Sequence, residues 1–160
     1  MKRKTLIKIH IAATLVAILT IGSFLTASLV AELSGSETVI KNIKEAILFA
    51  LPLLLVAMPA VALSGNKLAG KSNHPIVLAK QKRMRFITLN GLCLIGLAFF
   101  LYYRSHYQAI DGIFFITQIA EFGLGLTNLV LLGLNSRSGV QLSGRFKRMK
   151  PLGVGSQTSI

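Results

Sequence analysis

The sequence predicts an all-α fold, an integral membrane four-helix bundle with both termini cytoplasmic. Three observations predict it. Hydrophobic residues make up 52% of the 160-residue chain and charged residues only 14%, against roughly a quarter charged in a soluble domain. The apolar residues fall into four runs, each near the ~20 residues a helix needs to cross a bilayer. The basic residues gather beside those runs, most of them on one side.

The four spans are expected at about residues 6–32, 44–63, 86–103 and 112–135, making residues 1–135 one membrane domain. The breaks carry turn or charge signals: LSGSET, SGNKLAGKSNHP, RSHYQAIDG and NSRSGVQLSGR. Pro52 and Pro59 sit inside the second span. A membrane helix tolerates them, because neighbours or waters satisfy the freed carbonyls. The apolar stretch after the basic N-terminus runs from Ile9 to Val30, too long for a signal-peptide core of about 7–15 residues. A retained first helix is expected. Residues 136–160 mix Gly, Ser, Lys and Arg and are expected to form a basic, flexible cytoplasmic tail.

Orientation follows from the short loops. Lys2, Arg3, Lys4, Lys8, Lys67, Lys71, Lys80, Lys82, Arg83, Arg85, Arg137, Arg145, Lys147, Arg148 and Lys150 fall on one side; Lys41, Lys44 and Arg104 fall on the other. The first side is cytoplasmic by this rule, which puts both termini inside. The acids Glu32, Glu37, Glu45 and Asp111 lie toward the outer face, and Glu121 is in the fourth span. The cytoplasmic face is therefore an unbroken positive field suited to anionic lipid headgroups. The net charge of +13 does not indicate nucleic acid, because the cations flank apolar spans and lack interleaved aromatics. A single cysteine, Cys93, excludes a disulfide framework. No catalytic motif is present.

Polar groups in a span each need a physical reason. In the fourth span Gln118, Glu121, Gly125, Asn128, Leu132 and Asn135 recur at steps of three and four, on one helical face. Phe114, Phe115, Phe122, Leu124, Val130 and Leu131 are then expected to face lipid. A carboxylate as deep as Glu121 is protonated, paired or beside a wet cavity. In the first span His10, Ala13, Thr14, Ala17, Thr20, Phe24 and Ala27 share a side and suit close packing. Asn90 of the third span lies at a depth similar to Asn128.

His10 stands a turn inside the first span, beside Lys8. It is either an interface residue reaching headgroups or an axial ligand of a b-type haem. For haem, His74 or Met58 supplies the second ligand, and Arg83, Arg85 or Lys8 neutralises the propionates. His106 lies on the outer side with Tyr102, Tyr103 and Tyr107 and cannot pair with His10. The layout of residues 6–135 resembles the small four-helix b-type cytochromes of bacterial inner membranes. Those proteins carry several histidines in their spans, whereas here only His10 maps onto such a position. The segments KRMRFITLNG and GLNSRSGVQLSGR are also similar to segments of short bacterial membrane proteins.

Three functions follow as expectations: haem binding with electron transfer, non-enzymatic binding or carriage of a lipid-like or small substrate along the Glu121 stripe, or a scaffold role. In the last, the stripe meets a partner subunit or a second copy. Four short spans leave little room for a large pore in one chain.

Overall fold

The structure, a computed structural model, describes residues 3–70 and 75–142. Four helices account for nearly all of these residues: α1 (Arg3–Ser34), α2 (Glu37–Ala69), α3 (Pro75–Tyr107) and α4 (Gly112–Leu142). Each is long and apolar enough to cross a membrane, which is compatible with a multi-pass membrane protein. At ~1.5 Å per residue these 31–33-residue helices exceed the ~30 Å hydrocarbon layer.

The extra length is where the structure departs from the boundaries read in the sequence. Hydropathy marks where apolar character stops, but an established helix adds a backbone hydrogen bond per residue and continues until a breaker intervenes. Lys80, Lys82, Arg83 and Arg85 accordingly lie on the first turns of α3, not in a loop. Arg104 and His106 lie on its last turn. The sequence predicts a flexible tail from residue 136; instead, α4 continues through Leu142. Arg83 holds this extension, donating from Nη1 to Ser138 Oγ at 3.0 Å and to Asn135 Oδ1 at 3.5 Å. The rest of that tail lies outside the described residues, as do Lys2, Lys71 and His74.

Consecutive helices pack as antiparallel neighbours, and α4 returns to α1 to close a ring of four. Among the described residues, the diagonal pairs α1–α3 and α2–α4 do not meet at the backbone. Side chains fill the centre. Ala17 and Ile21, Ala57 and Val61, Met84 and Ile87, and Leu132 bring all four helices into one cluster. The outside is apolar as well: Leu19, Phe49, Val56, Ile116 and Ile119 are 68–78% exposed. Lipid tails are as apolar as leucine, so burial does not drive such helices together; close packing and interhelical hydrogen bonds do. Gly125 illustrates the close packing, since a Cβ there would lie 2.7 Å from Leu25 Cδ2 of α1.

Phe114 corrects one expectation. It does not face lipid but is fully buried, in a cluster with Ala31, Ile40 and Leu101. It stands four residues before Gln118, one turn earlier on the same inward face.

The end carrying both chain termini is here called the terminal end. At the other end two short connections join the hairpins. Gly35 takes φ 65° directly after α1, a left-handed conformation open to glycine at little cost. Asp111 caps α4 by accepting from the Phe114 amide at 3.1 Å. Its carboxylate is also gripped by Arg104, with Nη2–Oδ2 at 2.6 Å and Nε–Oδ1 at 3.1 Å.

The Arg104 hydrogen bonds, followed by the Phe114 amide, lower the Asp111 carboxyl from 3.8 to about 2. Because the folded value lies below the unfolded one, this contribution is complete above the unfolded value and disappears as the pH falls to about 2. Thermal unfolding in detergent between these limits is expected to show a pH-dependent loss of stability that Asp111→Asn reduces. An unchanged pH slope in Asp111→Asn overturns this assignment.

Candidate functional site

The inner face of α4 carries the polar groups of the bundle centre. Gln118, Glu121, Asn128 and Asn135 are all buried, with exposures of 2%, 8%, 0% and 5%. A stripe of this kind is stable in lipid only where each group finds a partner.

Glu121 finds a lysine. Lys44 of α2, 2% exposed, places Nζ 2.8 Å from Glu121 Oε2. Lys44 also donates to Ser28 Oγ of α1 at 3.2 Å, and Gln118 Nε2 donates to the same Glu121 oxygen at 2.8 Å. Three helices thus meet at one charge pair. Among the described residues this is the hydrogen-bonded contact that crosses a diagonal of the ring, α2 to α4. Two buried acceptors, Glu32 Oε1 and Gln118 Oε1, have no partner among the described residues. Glu32 lies within electrostatic range of both Lys44 and Glu121. The sequence reading counts Lys44 among the outer-side loop cations. Its real signal is position: only Glu45 separates it from the apolar run that begins at Ala46, and its side chain stands at the depth of Ser28 and Glu121.

One and two turns further along α4, the amides pair. Asn90 Nδ2 of α3 donates to Leu124 O at 2.8 Å and to Asn128 Oδ1 at 3.0 Å. Nearer the terminal end, Asn135 Nδ2 contacts Met84 Sδ at 3.7 Å.

Beside this stripe lies a cleft of about 990 Å³. Its walls are α2 and α3, including Leu51, Leu54, Met58, Leu92 and Ile95; Ser28, Glu121, Gly125 and Asn128 form its floor. It opens on the bundle surface between α2 and α3, where the lining residues Leu55, Leu63, Leu89 and Leu92 are 49–66% exposed. Pro59 lies in the same wall, and its missing N–H leaves the Leu55 carbonyl without its helical donor. Asn66, Gln81 and Arg85 line the terminal end of the cleft. The volume is at the upper end of the ~300–1,000 Å³ typical of small-molecule sites. The sequence gives little sign of this cleft, which arises from how two separate helices splay.

The residues named for haem do not converge. His10 packs in the α1–α2 seam, where its Nδ1 lies 2.9 Å from Ser64 Oγ. The Ser64 hydroxyl hydrogen goes to the Ala60 carbonyl, so the His10 Nδ1–H donates to Ser64. Gly65 makes room for the ring, since a Cβ there would lie 3.2 Å from His10 Cε1. Met58 instead faces α3, its Cε 3.2 Å from the place of a Gly91 Cβ. His10 and Met58 therefore face different seams in this structure. Arg83 is engaged with α4, while Arg85 lines the cleft. The His10–His74 pair cannot be placed, because His74 is outside the described residues. His106 is at the opposite end, where its ring stacks on Tyr102 at 4.3 Å.

The chain matches no protein-family model, no curated protein and no solved structure.

Removing one partner of a buried pair leaves the other charge uncompensated, at about 3–5 kcal/mol, whereas replacing both with apolar groups is often neutral. Lys44→Met is accordingly expected to destabilise the protein by about that amount in a detergent-denaturation series. Lys44→Met combined with Glu121→Met should recover most of the loss. A double variant no more stable than the single would show that the two residues are not coupled.

Proposed function

We propose that this protein is a non-enzymatic, multi-pass protein of the bacterial inner membrane that binds a lipid-like amphiphile in the α2–α3 cleft. The observation that carries the reading is the cleft itself: apolar walls, a lateral mouth and a floor of polar groups. An amphiphile reaches such a mouth from the bilayer without passing through water. The basic residues of the terminal end support an orientation with both termini cytoplasmic. Anionic headgroups would gather at that face.

A second reading retains His10 as a ligand of a b-type haem. Its Nδ1 donates to Ser64, and a histidine anchored through one nitrogen commonly presents the other to a metal. Protein purified from haem-supplemented cells decides this by its visible spectrum. A Soret band abolished by His10→Ala would carry the haem reading; a flat spectrum from folded protein would leave His10 as a seam residue.

For the amphiphile, a diazirine-bearing fatty acyl probe is incorporated into membranes holding the protein, and cross-links are mapped by mass spectrometry. Label is expected at cleft residues such as Leu54, Met58 and Leu92. Thr88→Trp, at an exposed position in the cleft wall, should remove most of that label while leaving the label at Leu19, Phe49 and Ile116 unchanged. Label spread evenly over the outer surface, and indifferent to Thr88→Trp, would overturn the proposal.

A further inference from the structure

The floor of the cleft holds an unused donor. Asn90 Nδ2 gives one hydrogen to Leu124 O and the other to Asn128 Oδ1. That bond fixes which end of the Asn128 amide is oxygen, because a flipped amide would set two donors against each other. The remaining atom, Asn128 Nδ2, is buried and has no partner among the described residues, although the residue itself is 0% exposed. Buried amide donors are almost always paired.

Access to this donor depends on Gly91. A Cβ there would lie 3.7 Å from Asn128 Nδ2, so the missing side chain leaves a narrow opening that the Met58 methyl closes over the covered donor until it moves aside. Gly91 and Asn128 both line the cleft. The other neighbour of the opening is Met58 Cε, the end of a flexible chain that adapts to a ligand.

Fewer than two turns along α3 toward the terminal end stands Arg85, which is exposed and lines the same cleft with Gln81 and Asn66. The sequence contains no Asp or Glu between Glu45 and Asp111, before Glu32 or after Glu121. Among the described residues, no carboxylate stands at the terminal end to compete for Arg85. A cation at the cleft's terminal end and a neutral donor deeper inside, followed by apolar walls, describe a ligand in three parts. It has an anionic head, then a carbonyl-type acceptor, then a hydrocarbon chain.

Resting on the amphiphile reading above, we propose that the cleft selects an anionic diacyl glycerophospholipid, its phosphate on Arg85 and an acyl ester carbonyl on Asn128 Nδ2. The guanidinium suits phosphate oxygens as a charged fork of donors. One acyl chain enters the cleft and the other remains in the bilayer at the mouth.

The test is displacement of the diazirine probe from the cleft of the wild-type protein in detergent, by four competitors. These are phosphatidylglycerol with ester-linked chains, its ether-linked analogue, diacylglycerol with the same ester-linked chains, and glycerol 3-phosphate. The ester form is expected to compete about fivefold better than the ether form, the worth of one neutral hydrogen bond. It should compete about tenfold better than diacylglycerol, which lacks the phosphate, the worth of a charge-assisted contact. Asn128→Leu removes the donor while Leu124 O still accepts from Asn90, and should abolish the ester preference while leaving the headgroup preference. Arg85→Gln should abolish the headgroup preference alone. Equal competition by ester and ether forms in the wild type would overturn the Asn128 assignment while leaving the cleft occupied. Equal competition by phosphatidylglycerol and diacylglycerol would overturn the Arg85 assignment, and displacement by glycerol 3-phosphate would make the ligand a soluble phosphate ester. Absence of any cleft label would remove the amphiphile reading itself.

Discussion

The arrangement depends on a lysine and a glutamate that meet buried inside the bundle. Lys44 and Glu121 come from helices on opposite corners of the ring, whose backbones do not meet. Ser28 and Gln118 complete the site, so the pair engages three of the four helices. Such a pair is poor evidence of stability, since the desolvation of both charges can offset their attraction. It is better evidence of register. Sliding α2 by one turn relative to α4 would leave two uncompensated charges at depth, a larger penalty than any apolar misfit. The pair therefore fixes how the two hairpins face each other.

The remaining hydrogen bonds divide along the same line. His10 and Ser64 join α1 to α2, as Lys44 and Ser28 do at the other end. Arg83 with Ser138, Asn90 with Asn128 and Arg104 with Asp111 join α3 to α4 and its cap. Among the described side chains, no hydrogen bond crosses the α2–α3 seam. Each hairpin is laced internally, and the two are joined by apolar packing and by one ion pair on the far side of the cleft. Among the described side chains the α1–α4 seam carries no hydrogen bond either, but the opening lies at α2–α3. Separating α2 from α3 near Leu55 and Leu92 breaks dispersion contacts that lipid tails replace almost equally well.

The sequence makes the four helices legible because each carries an apolar run of membrane length, and the α4 stripe legible because its period is helical. Phe114 escapes that reading although it shares the period: an aromatic is indistinguishable in type from a lipid-facing residue, and only the end cluster with Leu101 shows its direction. Lys44 escapes because a cation next to an apolar run normally marks a water boundary. The cleft escapes for a different reason. It is a property of the space between helices, set by residues such as Gly91 and Met58 that lie 33 positions apart, and no local pattern records the gap.

The charges then give the cleft a direction. Its terminal end has cations and no acids, while its far end has Glu121 already matched by Lys44. Without Lys44, the floor would present an uncompensated carboxylate to whatever entered. An anionic lipid would then be attracted at the mouth and repelled at the bottom. With Lys44 in place the Glu121 carboxylate on the floor is matched, so the mouth reads charge and the interior reads shape and one hydrogen bond. The ion pair that sets the register of the helices also makes the floor compatible with the proposed ligand. Both consequences rest on a 2.8 Å contact across the diagonal of the bundle.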